Sequence, residues 1–433
     1  MTGKRLIELA LALACALGCA GSGAPHDAAL GDAALGDAAD GVAVPEVVVP
    51  DGYVPNCPQG VCAAGPEHAP DPMAPGPFPV GVRTVVLVDS SRTLPDGSPR
   101  WLKTEIWYPT SDDWRDRPKY TYDPKADAPE EVRAKIGDIE IGTVEVDAVR
   151  DAPVRHLDGR FPLVLFSHGA YGIRYQSIFL TVPLASHGYV VVAPDHTGNT
   201  LYDILLHGYQ QGPLLQSAID RPADLLFLID EMGRFDADPA NEFYHSIDTE
   251  NVGVVGHSFG GYSCFSVAWH MQPDGNMGPD PRVKVIVPHA PAGYLIGALG
   301  IYAPDWHLPT MIMGGKMDKT LDYEAAFKAP YEDLGRPKWF LTIERGGHYT
   351  FSDMCRLDLK KLAKEMNYPD AADALNDGCG EANWDWREAH KAINLYTIAV
   401  LNTHLRNSPG SKKYLTPEAG KQFGAEIQLD AAP

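Results

Sequence analysis

The sequence feature that most constrains the fold of this chain is Ser258, in the run Gly-His-Ser-Phe-Gly-Gly at residues 256–261. A short, mostly apolar and β-branched run at residues 251–255 precedes it, and a stretch of helical character at residues 262–270 follows it. A strand, Gly-x-Ser-x-Gly and a helix, in that order, form a nucleophile elbow, a sharp turn that presents the serine hydroxyl at the edge of a sheet. Glycine is expected at positions 256 and 260 because a Cβ atom there would crowd the turn. The pattern predicts that Ser258 is a nucleophile.

An acid and a histidine follow Ser258 in the order that this kind of site requires. Asp318 comes after the apolar run at residues 309–313, and His348 lies on a glycine-containing loop after the run at residues 338–343. Because side chains at the carboxyl ends of parallel strands meet where ligands bind, both are expected beside Ser258. In this interpretation Ser258 attacks, His348 takes its proton, and Asp318 holds the imidazole and stabilises its charge.

Other residues compete for two of these roles. Asp195 and Asp305 are rival acids, but Asp318 alone follows a predicted strand between the serine and the histidine loop. His390 and His404 lie within a helical pattern further along the chain and fit the role of the base less well.

The end of an earlier predicted strand indicates an oxyanion hole. The apolar run at residues 161–166 is followed by Ser-His-Gly-Ala-Tyr-Gly at residues 167–172. One donor is expected to be the N–H group after the nucleophile, on Phe259, and the other the N–H group of Ala170. The segment 167–172 is the predicted oxyanion loop, and the glycine-containing loop with His348 is the histidine loop. Tyr171, Tyr349 and Phe351 flank these two loops, where they would either narrow an apolar cleft or pack in the core.

Predicted strands and helices alternate along the chain. Candidate strands cover residues 84–89, 102–108, 162–167, 189–193, 252–256, 283–288, 309–313 and 338–343. Candidate helices cover residues 174–187, 215–232, 324–334 and 386–405. The alternation predicts an α/β-hydrolase fold with a mostly parallel sheet, helices on both faces and an antiparallel edge made by the first two strands. The segments 108–158 and 196–213 lack clear periodicity and are predicted to be cap insertions, with plain surface loops as the alternative.

The motifs around these residues resemble those of known esterases. The likeness rests on Leu-Phe-Ser-His-Gly at 165–169, the segment 184–196, the run at 256–261 and His-Tyr-Thr-Phe-Ser-Asp at 348–353. These stretches resemble platelet-activating-factor acetylhydrolases and dienelactone-hydrolase-like esterases of the α/β-hydrolase superfamily, and the first two also resemble cutinase-type polyester hydrolases. The resemblance extends over residues 83–405 and implies a serine carboxylic-ester hydrolase with Ser258, Asp318 and His348 as its triad.

The predicted activity is ester hydrolysis through an acyl-enzyme, on short-acyl or lipid-like esters. A polyester hydrolase, a true lipase and an acyltransferase with the same triad remain alternatives, whereas a peptidase and a catalytically silent binding protein are less favoured. The sequence contains neither Cys-x-x-Cys nor His-Glu-x-x-His, and no glycine-rich nucleotide loop follows a strand, so no metal or other cofactor is expected. A net charge of −21 argues against a nucleic-acid partner.

The first 19 residues predict export from a bacterium. A basic start, an apolar run at residues 6–18 and small residues around Cys19 are typical of a signal peptide. Cleavage before Cys19 with lipid on its sulfur would give a cell-envelope lipoprotein with a membrane tether, and cleavage after Ala20 would give a secreted protein. Residues 20–78 carry eight acidic side chains and no lysine or arginine, which predicts a disordered linker before a catalytic domain at residues 79–433.

The cysteines suit an oxidising compartment. Cys355 and Cys379 flank a polar segment after the histidine loop and are predicted to form a disulfide. Cys57 and Cys62 are predicted to form another within the linker. Cys264 is expected to be a buried thiol on the helix behind the elbow.

Overall fold

A computed structural model of the chain describes residues 71–156, 159–271, 277–278, 280–295, 306–357, 359–366 and 375–433. The predictions on the signal peptide, on Cys19, on the Cys57–Cys62 pair and on nearly all of the linker lie outside these residues. The rival acid Asp305 lies outside them as well.

A ten-stranded sheet forms the centre of the described molecule, in the order β14-β13-β12-β11-β8-β6-β7-β2-β1-β5. Two small two-stranded sheets are made by β3 with β4 and by β9 with β10. The strands are β1 (Val80–Thr93), β2 (Pro99–Pro109), β3 (Tyr120–Tyr122), β4 (Val144–Val146), β5 (Val149–Arg150), β6 (Phe161–Ser167), β7 (Val190–Pro194), β8 (Ile247–His257), β9 (His270–Met271), β10 (Met277–Gly278), β11 (Val283–His289), β12 (Thr310–Gly315), β13 (Lys338–Ile343) and β14 (Ile427–Ala432).

The middle of the large sheet is parallel. Strands β13, β12, β11, β8, β6 and β7 run in one direction, and β6 and β7 are buried along their whole length. Such burial explains their continuous apolar sequences, because helices cover both faces of a parallel sheet. The predicted antiparallel pairing of β1 with β2 is confirmed, but the edge prediction is wrong in detail, since β5 pairs outside β1. Strand β14, antiparallel to β13, was not predicted because it is short and half of its residues are aspartate or alanine, which are depleted in strands.

Helices cover the two faces of the sheet, with α3 and α9 packed together on one face and α5 and α6 on the other. The predicted α/β class is therefore confirmed. The helices are α1 (Pro124–Asp127), α2 (Glu130–Ile136), α3 (Ile178–Ser186), α4 (Leu201–His207), α5 (Gln211–Ala237), α6 (Phe259–Ala268), α7 (Ala329–Asp333), α8 (Leu359–Glu365), α9 (Trp386–Leu405) and α10 (Pro409–Lys412). A π-helix at Glu324–Lys328 leads into α7, and 3₁₀ turns occur at Asp112–Trp114, Gly293–Leu295, His348–Phe351, Asp353–Arg356 and Pro417–Glu426.

The two segments predicted as insertions are folded and contact each other through α2 and α4. Helix α4 begins with a capping box, in which the Thr200 side chain accepts from the Asp203 N–H group and the Asp203 carboxylate accepts from the Thr200 N–H group. Next to α4, the Tyr171 hydroxyl donates to the Gln210 carbonyl oxygen at 3.0 Å. The second insertion therefore contacts the loop predicted to form the oxyanion hole. No helix in the described ranges has the length and apolar character needed to cross a membrane.

Candidate active site

Ser258 lies at the junction of β8 and α6, in a conformation that side chains rarely adopt. Its φ angle is +58°, in the region normally reserved for glycine. A Cβ atom on Gly256 would lie 2.3 Å from the Gly260 carbonyl oxygen, and one on Gly260 would lie 1.9 Å from the Ser167 carbonyl oxygen. The expectation that both glycines make room for the turn is confirmed. The close approach of Gly260 also brings the end of β6 against the elbow.

The structure brings Ser258, His348 and Asp318 into one hydrogen-bonded chain. The Oγ atom of Ser258 lies 2.9 Å from Nε2 of His348, and Nδ1 of His348 lies 2.7 Å from Oδ2 of Asp318. Because a carboxylate only accepts, Nδ1 carries the proton and Nε2 is left to accept from the serine hydroxyl. The residues follow the carboxyl ends of β8, β13 and β12, which meet at one edge of the parallel sheet.

The backbone of its own loop holds the Asp318 carboxylate in place. Its Oδ1 atom accepts from the N–H groups of Thr320 at 2.8 Å and Leu321 at 2.7 Å, which leaves Oδ2 for the imidazole. The rival acid Asp195 instead accepts two hydrogen bonds from Arg174. Asp195 is therefore committed to a buried ion pair, whereas Asp318 contacts the histidine.

The environment of His348 suits a general base. The ring is buried, and burial alone would lower its pKa because the charged form loses its hydration. The negative charge of Asp318 and its hydrogen bond more than offset this effect, so that the pKa of His348 is raised above 6.5. A raised pKa makes the imidazole a stronger proton acceptor.

The two backbone N–H groups predicted to form the oxyanion hole have no acceptor among the described residues. Within the described ranges, neither the Phe259 N–H group nor the Ala170 N–H group donates to another protein atom. The N–H groups on either side of Ala170, those of Gly169 and Tyr171, donate to side chains instead. The loop thus leaves Ala170 N–H unused. Its role in an oxyanion hole, with that of Phe259, stays a prediction.

A buried arginine, Arg221, forms hydrogen bonds with the oxyanion loop. The guanidinium of Arg221, on α5, donates to the Gly169 carbonyl at 3.1 Å, to Asn199 Oδ1 at 2.7 Å and to Ser217 Oγ at 3.0 Å. Its central carbon lies 4.7 Å from the ring centroid of Phe259. Sequence reasoning did not assign this role to Arg221. A usable signal is present, because Arg221 and Asp224 are charged residues that share the buried face of an amphipathic helix with Leu225 and Leu228.

The aromatic side chains near the site fall into two groups. Phe351 is fully buried, so that of its two predicted roles core packing applies and cleft lining does not. The ring of Tyr349 stands edge-on to that of His348, with centroids 5.4 Å apart. Tyr171 stands edge-on to Tyr209 at 6.1 Å, and Tyr209 is 45% exposed. A partly exposed tyrosine pair therefore lies next to the oxyanion loop.

The predicted disulfide between Cys355 and Cys379 is present, with Cα atoms 5.4 Å apart. It closes a segment that contains Asp377, whose Oδ2 accepts from the Thr320 N–H group at 3.0 Å. The Asp377 carbonyl oxygen accepts from the Tyr349 N–H group at 2.8 Å. The disulfide segment therefore fastens the loop of the acid to the loop of the histidine.

Potential metal ligands do not cluster in the part of the chain that the structure describes. No three His, Cys, Asp or Glu side chains among these residues are arranged to hold an ion. Cys264 is a buried free thiol on α6, as expected.

Comparisons with known proteins place this geometry in context. A sequence model described as platelet-activating factor acetylhydrolase, isoform II, matches residues 65–202, and one described as the alpha/beta hydrolase family matches residues 164–405, more than half of the chain. A ferulic acid esterase from Streptomyces cinnamoneus has a similar structure, with a TM-score of 0.58 and 22% sequence identity over 81% of this chain and 96% of that chain. At this identity the likeness shows a shared fold. No curated protein matches the chain.

Proposed function

The chain belongs to the alpha/beta hydrolase family, and from the geometry of its site we propose that it is a serine carboxylic-ester hydrolase. Ser258 is the nucleophile, His348 the general base and Asp318 the acid that orients the imidazole. The observation that carries the proposal is the unbroken chain from Ser258 Oγ through His348 to Asp318, with distances of 2.9 and 2.7 Å. The site rather than the fold supports it, because this fold hosts many reactions.

Acylation begins when Ser258 Oγ attacks the carbonyl carbon of the ester and its proton moves to Nε2 of His348. The carbonyl oxygen becomes an oxyanion that the N–H groups of Phe259 and Ala170 bind. When the bond from the carbonyl carbon to the alcohol oxygen breaks, His348 returns the proton to the leaving alcohol. The acyl group remains on Ser258.

Deacylation repeats these steps with water as the nucleophile. His348 takes a proton from the water, whose oxygen attacks the acyl carbon, and then returns a proton to Ser258 Oγ as the acid leaves. If an alcohol replaces the water, the same site becomes an acyltransferase. Product analysis with and without added alcohol separates the two activities.

The proposed substrates are short-acyl or lipid-like esters. This choice is supported by the acetylhydrolase match over residues 65–202, which includes the oxyanion loop and the end of β7. A second candidate, an ester with an aromatic acyl group, is favoured by the Tyr171–Tyr209 pair and by the name of the similar esterase. A polyester hydrolase or a true lipase would use the same triad, and activity on an insoluble polymer or on lipid emulsions would identify either one.

Covalent labelling tests the proposed reaction. A serine-directed phosphonate should label Ser258 and abolish hydrolysis of p-nitrophenyl acetate, and Ser258→Ala should neither label nor turn over. Ser90→Ala, which removes an exposed hydroxyl on β1, is the matched control and should behave as the wild type. Labelling at another residue, or activity in Ser258→Ala, would contradict the assignment.

We further propose that the protein is exported, with Cys19 as the site of a lipid anchor and residues 20–78 as a linker to the catalytic domain. Incorporation of a fatty-acid analogue in cells that make the full chain tests this proposal. Loss of the label in Cys19→Ser supports a lipoprotein, and an unlabelled mature protein in the medium supports secretion.

A further inference from the structure

Gln176 connects the oxyanion loop to the residue before the nucleophile. Its side chain is buried, between β6 and α3 in the chain. The Gly169 N–H group donates to Gln176 Oε1 at 3.0 Å, and Gln176 Nε2 lies 2.8 Å from Nδ1 of His257. One amide side chain therefore contacts both the loop that carries Ala170 and the elbow.

His257 continues this connection to the catalytic histidine. Its Nε2 atom lies 3.0 Å from the carbonyl oxygen of His348. A carbonyl oxygen only accepts, so Nε2 of His257 carries a proton. An amide nitrogen only donates, so the Nδ1 atom of His257 is unprotonated and accepts from Gln176. Burial, and then the electrostatic effect of nearby His348, also lower the pKa of His257 well below its usual range, which favours a neutral ring.

The hydrogen bonds thus run in one direction, from Gly169 N–H to Gln176, from Gln176 to His257, and from His257 to the His348 carbonyl. Each donor meets an acceptor, which fixes both the orientation of the Gln176 amide and the tautomer of His257.

The oxyanion loop has a glycine at the point where it contacts the Gln176 side chain. A Cβ atom on Gly172 would lie 2.2 Å from Gln176 Oε1, so that only glycine leaves room for the amide. The Gln176 carbonyl oxygen accepts from the Asp353 N–H group at 2.8 Å, which ties its backbone to the segment after the histidine loop. Gln176 therefore contacts the oxyanion loop, the elbow and the histidine side of the site.

We propose that Gln176 and His257 are positioning residues, which fix the positions of the oxyanion loop and of the His348 loop relative to Ser258. The inference rests on the proposed ester hydrolysis, because it concerns the geometry of that reaction. A displacement of about 1 Å in a catalytic group lowers the rate by about 10²-fold, and loss of one oxyanion donor lowers kcat by about 10²–10³-fold. Breaking the connection should act on kcat rather than on substrate binding.

The test compares Gln176→Met with the wild type. Methionine has a similar length and shape but makes neither hydrogen bond. The expected result is a kcat about 10²-fold lower with KM within about threefold. The Gly169 amide should also exchange its hydrogen at least about tenfold faster. Gln216→Met, which removes an exposed amide on α5, is the matched control and should leave both readouts unchanged. A folded Gln176→Met with wild-type kcat overturns the proposal.

Nitrogen NMR of the wild-type protein tests the inference without relying on activity or on the stability of the variant. A proton on Nε2 of His257 and a bare Nδ1 support the proposal, and a proton on Nδ1 overturns it. If the wild-type protein hydrolyses no ester, the proposed function fails. The tautomer and the exchange rate of the Gly169 amide then still decide whether the hydrogen-bonded connection exists.

Discussion

The Nε2 atom of His348 lies 2.9 Å from the Oγ atom of Ser258, although the two residues are 90 positions apart in the chain. Parallel strands bring them together, since β8 and β13 present their carboxyl ends at the same edge of the sheet. The contact orients a lone pair of the imidazole toward the serine proton, which is the geometry that general-base catalysis requires.

Removal of the proposed nucleophile or of the proposed base should abolish nearly all turnover. Ser258→Ala and His348→Ala are each expected to lower kcat by up to about 10⁶-fold, with a residual rate from the oxyanion N–H groups. The two changes together should cost about as much as either alone, because the residues act as a unit. A double variant slower by the product of both factors would contradict this coupling.

Asp318→Asn should lower kcat by about 10⁴-fold without unfolding the protein. The amide can donate to Nδ1 of His348, which favours the tautomer that carries its proton on Nε2 and cannot accept from the serine. Asp333→Asn, at an exposed position on α7, is the matched control. The measurement is steady-state kinetics on p-nitrophenyl acetate together with circular dichroism. An Asp318→Asn variant with wild-type kcat would show that another carboxylate serves His348.

The activity should fall on the acid side at a pH above 6.5. His348 accepts a proton only when it is neutral, and its pKa is raised because the Asp318 carboxylate more than offsets burial. As the pH falls through this raised pKa, the ring becomes charged and kcat/KM is lost. In Asp318→Asn the residual activity should persist to lower pH, since burial, which lowers the pKa of His348, is then the dominant effect. An acid limb below 6.5 in the wild type would contradict the direction of the shift.

The same raised pKa predicts how His348 affects stability. A group whose pKa is higher in the folded than in the unfolded protein binds its proton more tightly when folded. Its contribution is therefore fully present below pH 6.5 and is lost as the pH rises through the folded-state pKa. The urea midpoint of His348→Gln should lack this part of the pH dependence. A constant difference in urea midpoint between the wild type and His348→Gln, from below pH 6.5 to above the raised pKa, would contradict the prediction.

The disulfide should stabilise the catalytic domain. Replacing Cys355 and Cys379 by alanine is expected to lower the free energy of unfolding by about 3 kcal/mol, because an open segment of this size gains entropy in the unfolded chain. Activity should fall as well, since Asp377 would be held less firmly against the loop of Asp318. Urea unfolding with and without a reductant measures the effect, and the double variant should be insensitive to the reductant. Free thiols at both positions in protein purified without a reductant would refute the bond.

The acyl-chain preference should favour short esters and be broad. One methylene in an apolar pocket changes discrimination by about 1–3 kcal/mol, so adjacent chain lengths should overlap. The comparison is kcat/KM for acetyl, butyryl, octanoyl and palmitoyl esters of p-nitrophenol, with a feruloyl ester as the aromatic member. An optimum at palmitoyl with activation at an emulsion surface would favour a true lipase. An optimum at feruloyl that disappears in Tyr209→Ala would favour the aromatic ester.

Local sequence was sufficient for the features that depend on neighbours in the chain. Gly256 indicates the elbow because its requirement is steric and local: a Cβ atom there would clash with Gly260, four residues further along the chain. The strand at Lys338–Ile343 and the helix at Trp386–Leu405 have the predicted bounds, because their apolar patterns are long and regular. Asp318 and His348 could be selected because each follows such a strand in the expected order.

Other features depend on which segments become neighbours, and only the tertiary structure decided them. Strand β14 is short and half of its residues are of types depleted in strands, and it becomes a strand because β13 offers it an edge. Phe351 occupies the core and Tyr171 stays partly exposed, although both are aromatic residues that flank predicted loops of the site. Hydrogen bonds join Gln176 and Arg221 to the backbone of Gly169 in the oxyanion loop. Nothing in the sequence around Gly169 indicates these two partners. A hydrogen bond needs atoms within about 3 Å, and folding alone brings such distant positions that close.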